Sequence, residues 1–341
     1  MSAPSPRAPL DATASTGSGS AGGAAGDGLA QQILLRLLIS GLAVAQRLPD
    51  RPIYRLAFMA GRGLSRLLPA RRALVRANLA RVCAWLVAEG RASPEVASAA
   101  GDPARLYALT REAFGHWVVA YAESALAPRY RGDDLRERIV AHDTKALAAA
   151  LAHPAPGEVG RIQLGMHFGS IELAGLYGTR VIGLPVTAPM EQVGGTLARG
   201  WFDHVRKALG ITIVPIAGAA EVLAAALRRG EMVGLVADRV IVGRGARVTL
   251  FGAPVRLPVG PAVLAIQTGA PIHLQAVRRT TPGRWVGHTV PIHPPIEGER
   301  RAAIRAILEA QARAFEGLVA ESPQQWSTLF FPIWDDSPGD S

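Results

Sequence analysis

The chain has 341 residues, of which 49% are hydrophobic and 19% charged, with 37 Gly and 25 Pro in no collagen-type repeat; that excludes a disordered polyelectrolyte and a fibrous protein. Lys plus Arg number 37 against 27 Asp plus Glu, a net charge of +10, and only Lys145 and Lys207 are lysines. The single cysteine, Cys83, excludes an intrachain disulfide and any CxxC metal or redox site.

A basic excess implies an anionic partner: nucleic acid, an anionic membrane surface or a phosphorylated substrate. Residues 1–28 are mostly Ser, Ala, Gly and Pro, the composition of a disordered tail. With Arg7 followed by a long polar tract, they do not read as a secretory signal. The apolar run from Ile33 to Ala45 contains Arg36 and falls short of the ~20 apolar residues of a spanning helix. Its polar positions, Gln32, Arg36, Ser40 and Arg47, recur at helical spacing. Two readings stay open: a helix lying in the headgroup region, or one packed on the core.

Residues 51–88 carry eight arginines (51, 55, 62, 66, 71, 72, 76 and 81) and no acid. Tyr54, Phe58, Met59, Leu64, Leu67, Leu68, Leu74 and Val75 interleave with them. Apolar and cationic residues together suit an anionic bilayer better than a duplex, each basic residue near such a surface contributing about 1 kcal/mol. A merely solvated arginine face is the alternative. No zinc-finger, basic-zipper or RNA-recognition signature is present, so no nucleic-acid partner is expected. Helices are predicted at 104–125 (Leu106, Leu109, Phe114, Trp117, Val118 and Tyr121), ended by Pro128, and at Thr144–Leu151. Residues 29–150 thus read as a basic, helical, membrane-associating region.

After Pro154 short apolar runs alternate with helical patterns. Strands are predicted at Ile162–Met166, Val181–Thr187, Ile211–Ile216, Met232–Ala237, Arg247–Phe251, Ile272–Arg278 and Arg284–Ile292. Helices are predicted at Glu172–Gly178, Leu197–Leu209, Ala219–Arg229, Pro261–Thr268 and Glu299–Glu321. This alternation implies an α/β single domain with a mainly parallel central sheet flanked by helices, its core spanning 151–334. Residues 335–341 read as a second disordered tail. The aromatic segment Trp326–Trp334 is expected to close the core, with interfacial anchoring as the alternative.

The most informative segment is Leu164-Gly-Met-His-Phe-Gly-Ser-Ile-Glu172. His167 falls where a predicted strand ends, the edge at which open α/β sheets bind ligands. Gly169 permits a tight turn, Ser170 can cap the next helix, and Glu172 follows in its first turn. A carboxylate five residues after the His can fold back to orient the ring, the base-plus-orienter arrangement of acyl transfer. A structural histidine at a strand end is the plain alternative. The other seven histidines have no partner at useful spacing, and His288 and His293, on or just after a strand, are expected to face solvent.

Four stretches resemble the bacterial glycolipid acyltransferases that include the lipid A lauroyl/myristoyl acyltransferases and the phosphatidylinositol mannoside acyltransferases. They are Arg72-Ala-Leu-Val-Arg-Ala-Asn-Leu-Ala80, His167-Phe-Gly-Ser-Ile-Glu172, Val236-Ala-Asp-Arg239 with Gly243–Gly252, and Leu257–Ala265 with Thr268-Gly-Ala270. Their order and spacing match over roughly residues 30–334. The resemblance implies a glycerolipid acyltransferase-like fold. It also implies transfer of a fatty acyl group from a thioester, acyl-CoA or acyl carrier protein, to a hydroxyl of a glycolipid or lysophospholipid. On this likeness His167 is the general base and Glu172 its support, with no acyl-enzyme, cofactor or metal. Arg206 falls where the family carries an arginine that could pair with a phosphate. Asp238 and Arg239 are candidates to contact the acceptor or shape the site, and Arg244 and Arg247 to bind donor phosphates. The implied location is the cytoplasmic face of the inner membrane. The acid in the motif is Glu, as in the lipid A branch, whereas residues 236–252 look closer to the mannoside branch, so the acceptor is open. A thioesterase using the same base and a non-catalytic membrane-binding relative are the competing readings.

Overall fold

The computed structural model describes residues 44, 46–190, 209–241, 245–294 and 299–334. Apart from Val44 and Leu209, the helices expected at 33–45 and 197–209 lie outside the described residues. The described chain opens with four helices: α1 (Asp50–Leu64), α2 (Pro69–Ala88), α3 (Pro94–Gly101) and α4 (Pro103–Leu126). Proline begins α2, α3 and α4; its missing N–H costs nothing in a first turn, where that donor has no partner. Ser93 and Asp102 cap α3 and α4, accepting from the N–H of Val96 and Ala104. Helix α1 crosses α4 so closely at Gly61 that a Cβ there would lie 2.3 Å from the Phe114 carbonyl oxygen.

There follow α5 (Gly132–Arg138), β1 (Ile139–Ala141), α6 (Thr144–Leu151), β2 (Arg161–Gly165), α7 (Ile171–Tyr177), a π-helical turn (Gly178–Ile182), β3 (Val186–Met190), β4 (Ile211–Pro215), α8 (Ala219–Arg228) and β5 (Met232–Val236). The chain continues through β6 (Gly245–Leu250), β7 (Ala253–Pro258), α9 (Gly260–Thr268), β8 (Ile272–Thr281), β9 (Arg284–Ile292) and α10 (Arg300–Glu321). The described residues close with two 3₁₀ turns, Pro323–Gln325 and Ser327–Phe330. The seven-stranded sheet has the order β1-β9-β8-β2-β5-β3-β4, and β6 with β7 forms a separate antiparallel hairpin. All neighbours in the main sheet run parallel except β8 and β9. The α/β architecture with a mainly parallel sheet is therefore as expected.

Three local expectations are corrected. Residues 181–187 are not one strand: α7 runs on into the π turn and breaks at Gly183, with φ of 79°, before β3 begins. The stretch after Gly252 pairs back on β6 as a strand, β7. His288 is buried, stacked on His142 with ring centroids 4.8 Å apart, whereas His293 is exposed.

Strand side chains alternate between the faces of a sheet. Ile162 and Leu164 of β2, Val233 of β5 and Ile272 and Leu274 of β8 point to one face. They join Leu79 and Val82 of α2, Phe114 of α4, Leu227 of α8, Leu264 of α9 and Phe315 of α10 in one core. The arginine-bearing helix α2 is thus anchored by its apolar face. On the opposite face the same strands present Gln163, Gly165, Gly234, Val236, Gln275 and Val277. Small residues there, with α6 and α7 above them, leave a cavity.

Candidate active site

Strands β2 and β5 pair in register, Gly165 opposite Val236. Each chain then runs two residues further, to His167 and Asp238. Because the strands are parallel neighbours, equal offsets bring the two side chains together at their carboxyl ends. His167 Nδ1 lies 2.7 Å from Asp238 Oδ1. The Asp238 side chain is fully buried and that of His167 is 29% exposed.

Asp238 Oδ2 accepts three more hydrogen bonds, from the backbone N–H of His167 (3.0 Å), Trp326 Nε1–H (2.9 Å) and the Thr328 hydroxyl (2.6 Å). Burial alone would raise the Asp238 carboxyl. The charge and hydrogen bond of His167, with the Thr328 and Trp326 donors, outweigh it and hold the group well below the usual carboxylate range. An ionised Asp238 can only accept, so Nδ1 carries the proton and donates it. Nε2 is left as the basic atom of the neutral ring.

The loop bearing His167 is tied down on both sides. The Gly169 N–H donates to Gln325 O (3.1 Å), the Ser170 N–H to Val277 O (2.9 Å) and the Ser327 N–H to His167 O (2.6 Å). Gly169 has φ of 63°, and a Cβ there would sit 2.0 Å from Val277 O. No other residue fits that turn. Behind it Arg279 donates to Gly169 O (2.6 Å) and pairs with Glu123 (2.7 Å), both buried; Trp285 Nε1 also donates to Glu123 (2.7 Å).

Glu172 stands in the first turn of α7, half-buried in the cavity wall. Its charge helps burial to push up the Tyr121 hydroxyl. Among the described hydrogen bonds, the carboxylate on the His167 ring is Asp238, not Glu172. The cavity encloses about 1330 Å³ of empty space, open solvent at its mouth included, and its wall contains Met166 and Phe168, the chain neighbours of His167. Its lining is mostly apolar, from Ile139, Leu147 and Leu151 at one side to Leu209, Ile211 and Ile213 at the other.

Arg239, next to Asp238, stacks over the Phe331 ring with its guanidinium carbon 4.2 Å from the centroid. Arg247 is exposed on the β6–β7 hairpin, opposite Arg256. Arg206 and Arg244 lie outside the described residues. Cys83 is buried in the core, its thiol pushed up to about 11 chiefly by burial, the opposite of an activated nucleophile. Among the described residues no three His, Cys, Asp or Glu side chains form a metal-binding group, and no helix is long and apolar enough to cross a membrane.

Spacing along the chain misses the Asp238 partner, because 71 residues separate it from His167. The signal lies in comparison of two strands: Leu164-Gly-Met-His and Leu235-Val-Ala-Asp place a polar residue at the same offset.

A family model for bacterial lipid A biosynthesis acyltransferases matches residues 104–334. A phosphatidylinositol mannoside acyltransferase of Mycobacterium tuberculosis is 31% identical over 175 residues, 49% of this chain and 52% of that protein. Its namesake in Mycolicibacterium smegmatis is 30% identical over 178 residues, 49% of this chain and 54% of that protein. The chain spans about half the length of the curated relatives it matches. With the resemblance carried by His167–Glu172 and Val236–Arg239, the family match establishes that this chain belongs to the bacterial lipid A biosynthesis acyltransferase family.

Proposed function

We propose that this protein is an O-acyltransferase that moves a fatty acyl group from an acyl thioester, acyl-CoA or acyl carrier protein, to a hydroxyl of a glycolipid or lysophospholipid. One observation carries the reading: a histidine held by a buried carboxylate is flanked in the chain by Met166 and Phe168, which line a large apolar cavity. The cavity suits a hydrocarbon chain, and the ring suits the alcohol that meets it.

In this mechanism the acceptor hydroxyl lies against His167 Nε2. Its oxygen attacks the thioester carbonyl carbon while its proton passes to Nε2, and Asp238 stabilises the imidazolium that forms. The tetrahedral intermediate collapses with cleavage of the C–S bond, and the leaving thiolate takes the proton back. General-base action of this kind contributes about 10² to 10⁴ in rate. The thioester is a substrate, and the transfer draws on no cofactor.

Glu172 adds a carboxylate to the cavity wall, in the first turn of the helix that follows the His167 loop, and supports the ring through space. Arg239 offers a planar cation to a substrate phosphate, and Arg206, Arg244 and Arg247 are further phosphate candidates. Leu56, Met59 and Leu67 are 72%, 61% and 76% exposed among the arginines of α1 and the loop after it. That mixture suits an anionic membrane surface and, with the family resemblance, supports a location at the cytoplasmic face of the inner membrane.

The test is incubation of the purified protein with labelled acyl-CoA, with and without a lysophospholipid or glycolipid acceptor. Acyl transfer that depends on acceptor and disappears in His167→Ala supports the assignment. Equal release of free fatty acid without acceptor makes the protein a thioesterase instead. No turnover of either kind, from CoA or carrier-protein donors, leaves a non-catalytic relative.

A further inference from the structure

The C-terminal strap, residues 325–331, bonds to both the Asp238 carboxylate and the His167 backbone, although it lies far from both in sequence. Trp326 Nε1–H and the Thr328 hydroxyl donate to the same Asp238 oxygen. The Ser327 N–H holds the His167 carbonyl, and Phe168 forms an antiparallel bridge with Trp326. Gln325 exchanges two hydrogen bonds of 2.9 Å with the Arg279 backbone. The far end of the strap is tied to α2: Asn78 Nδ2 donates to Leu329 O (2.8 Å) and Phe331 O (3.0 Å), and Arg71 donates to Phe330 O (2.6 Å). Trp326 and Thr328 are buried.

We propose that Trp326 and Thr328 are positioning residues of the reaction, which fix the Asp238 carboxylate and set how strongly it draws on the His167 ring. The inference rests on the general-base reading of His167. A carboxylate oxygen that accepts three hydrogen bonds carries less negative charge to share with the imidazole on its other oxygen. Removing one donor leaves Asp238 more electron-rich and favours the imidazolium. His167 then stays protonated, and inactive as a base, to higher pH. Among the described residues, the other charged groups around the pair are Arg239 on Phe331, Glu172 in α7, and the Arg279–Glu123 pair behind Gly169. None of these is altered by substitution at 326 or 328. A role in core closure alone would lower stability and leave the pH dependence where it was.

The experiment compares Thr328→Val, Thr328→Ser and Trp326→Phe with the wild-type full chain. The acid limb of kcat/KM is measured with acyl-CoA and a lipid acceptor. The His167 ring is titrated by NMR without substrate, its signal assigned by its loss in His167→Gln. Thr328→Val is expected to move both the limb and the ring titration up by about one pH unit, the scale of one charge-assisted hydrogen bond. Trp326→Phe moves both in the same direction, and Thr328→Ser, which keeps the hydroxyl, leaves them in place. Should Thr328→Val fail to fold, Trp326→Phe supplies the same reading. Titrations that coincide with wild type in both donor-deleted variants overturn the proposal. An upward shift of the ring titration in a protein that turns over no thioester sustains the strap and discards the acyltransferase reading.

Discussion

Asp238→Asn is the sharpest probe of the site, because the two amide atoms cannot both replace carboxylate oxygens. Three donors converge on Oδ2: the His167 N–H, Trp326 Nε1–H and the Thr328 hydroxyl. The asparagine oxygen must occupy that position, since an NH₂ there would face three donors. Its NH₂ then faces His167 Nδ1 and donates to it. The ring is driven into the opposite tautomer, with the proton on Nε2, the atom that serves as base in the proposed transfer. The protein keeps its shape, its hydrophobic core and three of the four hydrogen bonds at this position. The expected loss in kcat is about 10³ to 10⁴-fold at pH 7, comparable to loss of the base itself, with little change in KM for either substrate. Glu172→Gln, which removes a charge but no bond to the ring, is expected to cost under about tenfold. The assay is initial-rate acyl transfer to a defined lipid acceptor, with circular dichroism to certify folding. A folded Asp238→Asn enzyme within tenfold of wild type would refute the argument, as would Glu172→Gln losing more than Asp238→Asn.

Glu123→Gln leaves the Arg279 cation buried beside a neutral amide, and is expected to cost about 3–5 kcal/mol in urea denaturation; a cost under 1 kcal/mol would mean that the pair is solvated. Asp50 accepts from Tyr130 (2.7 Å) and Arg138 and lies 3.4 Å from Arg129. Burial opposes its ionisation, but these partners lower its carboxyl. Its stabilisation is present above the unfolded carboxylate pKa and is lost as pH falls through the lowered folded value. Asp50→Asn should therefore be less stable than wild type at pH 7, with a gap that narrows towards pH 3 in thermal melts. In Gly234→Leu, a side chain starts where a Cβ meets only Ala188 Cβ at 3.7 Å and Val186 Cγ1 at 3.8 Å, so it enters the cavity. Donor-chain competition is expected to show long acyl chains losing at least tenfold more kcat/KM than short ones, and an unchanged ratio would place the acyl chain elsewhere. The double variant Leu56→Glu, Leu67→Glu should sediment less with anionic vesicles than wild type while keeping its melting temperature.

Much of the fold was legible where physics acts locally. Strands β2, β4 and β5 are short apolar runs between turn residues, and α4, α8 and α10 show helical spacing, with an Asp102 cap on α4 and Gly230 just beyond α8. Strand β1, three residues long, exists only because β9 offers it an edge. Strand β7 begins and ends near prolines that argue against a ladder, and it is tolerated because, among the described residues, β6 pairs with it along one edge only. The β-branched residues Val181 and Ile182 look like strand, but tertiary contacts extend α7 through them as a π turn. In the site, His167 stood out as a polar residue at a strand end. The acid on its ring did not, since Glu172 is near in sequence while Asp238 is near only once β2 and β5 pair. The strap was legible as aromatic and buried, but its hydrogen bonds to Asp238 depend on where the fold returns the chain.

The alternation on β2 and β5 ties two properties together. Ile162, Leu164 and Val233 fill the interior on one side, while Gly165 and Gly234 stay bare on the other. A slip of either strand by one residue would exchange these sets, plugging the hollow with branched side chains and leaving voids among the helices. The empty space and the packed interior are two outcomes of a single register. Substitutions along these strands can enlarge or shrink the hollow only at every second position, on the face opposite the packed core.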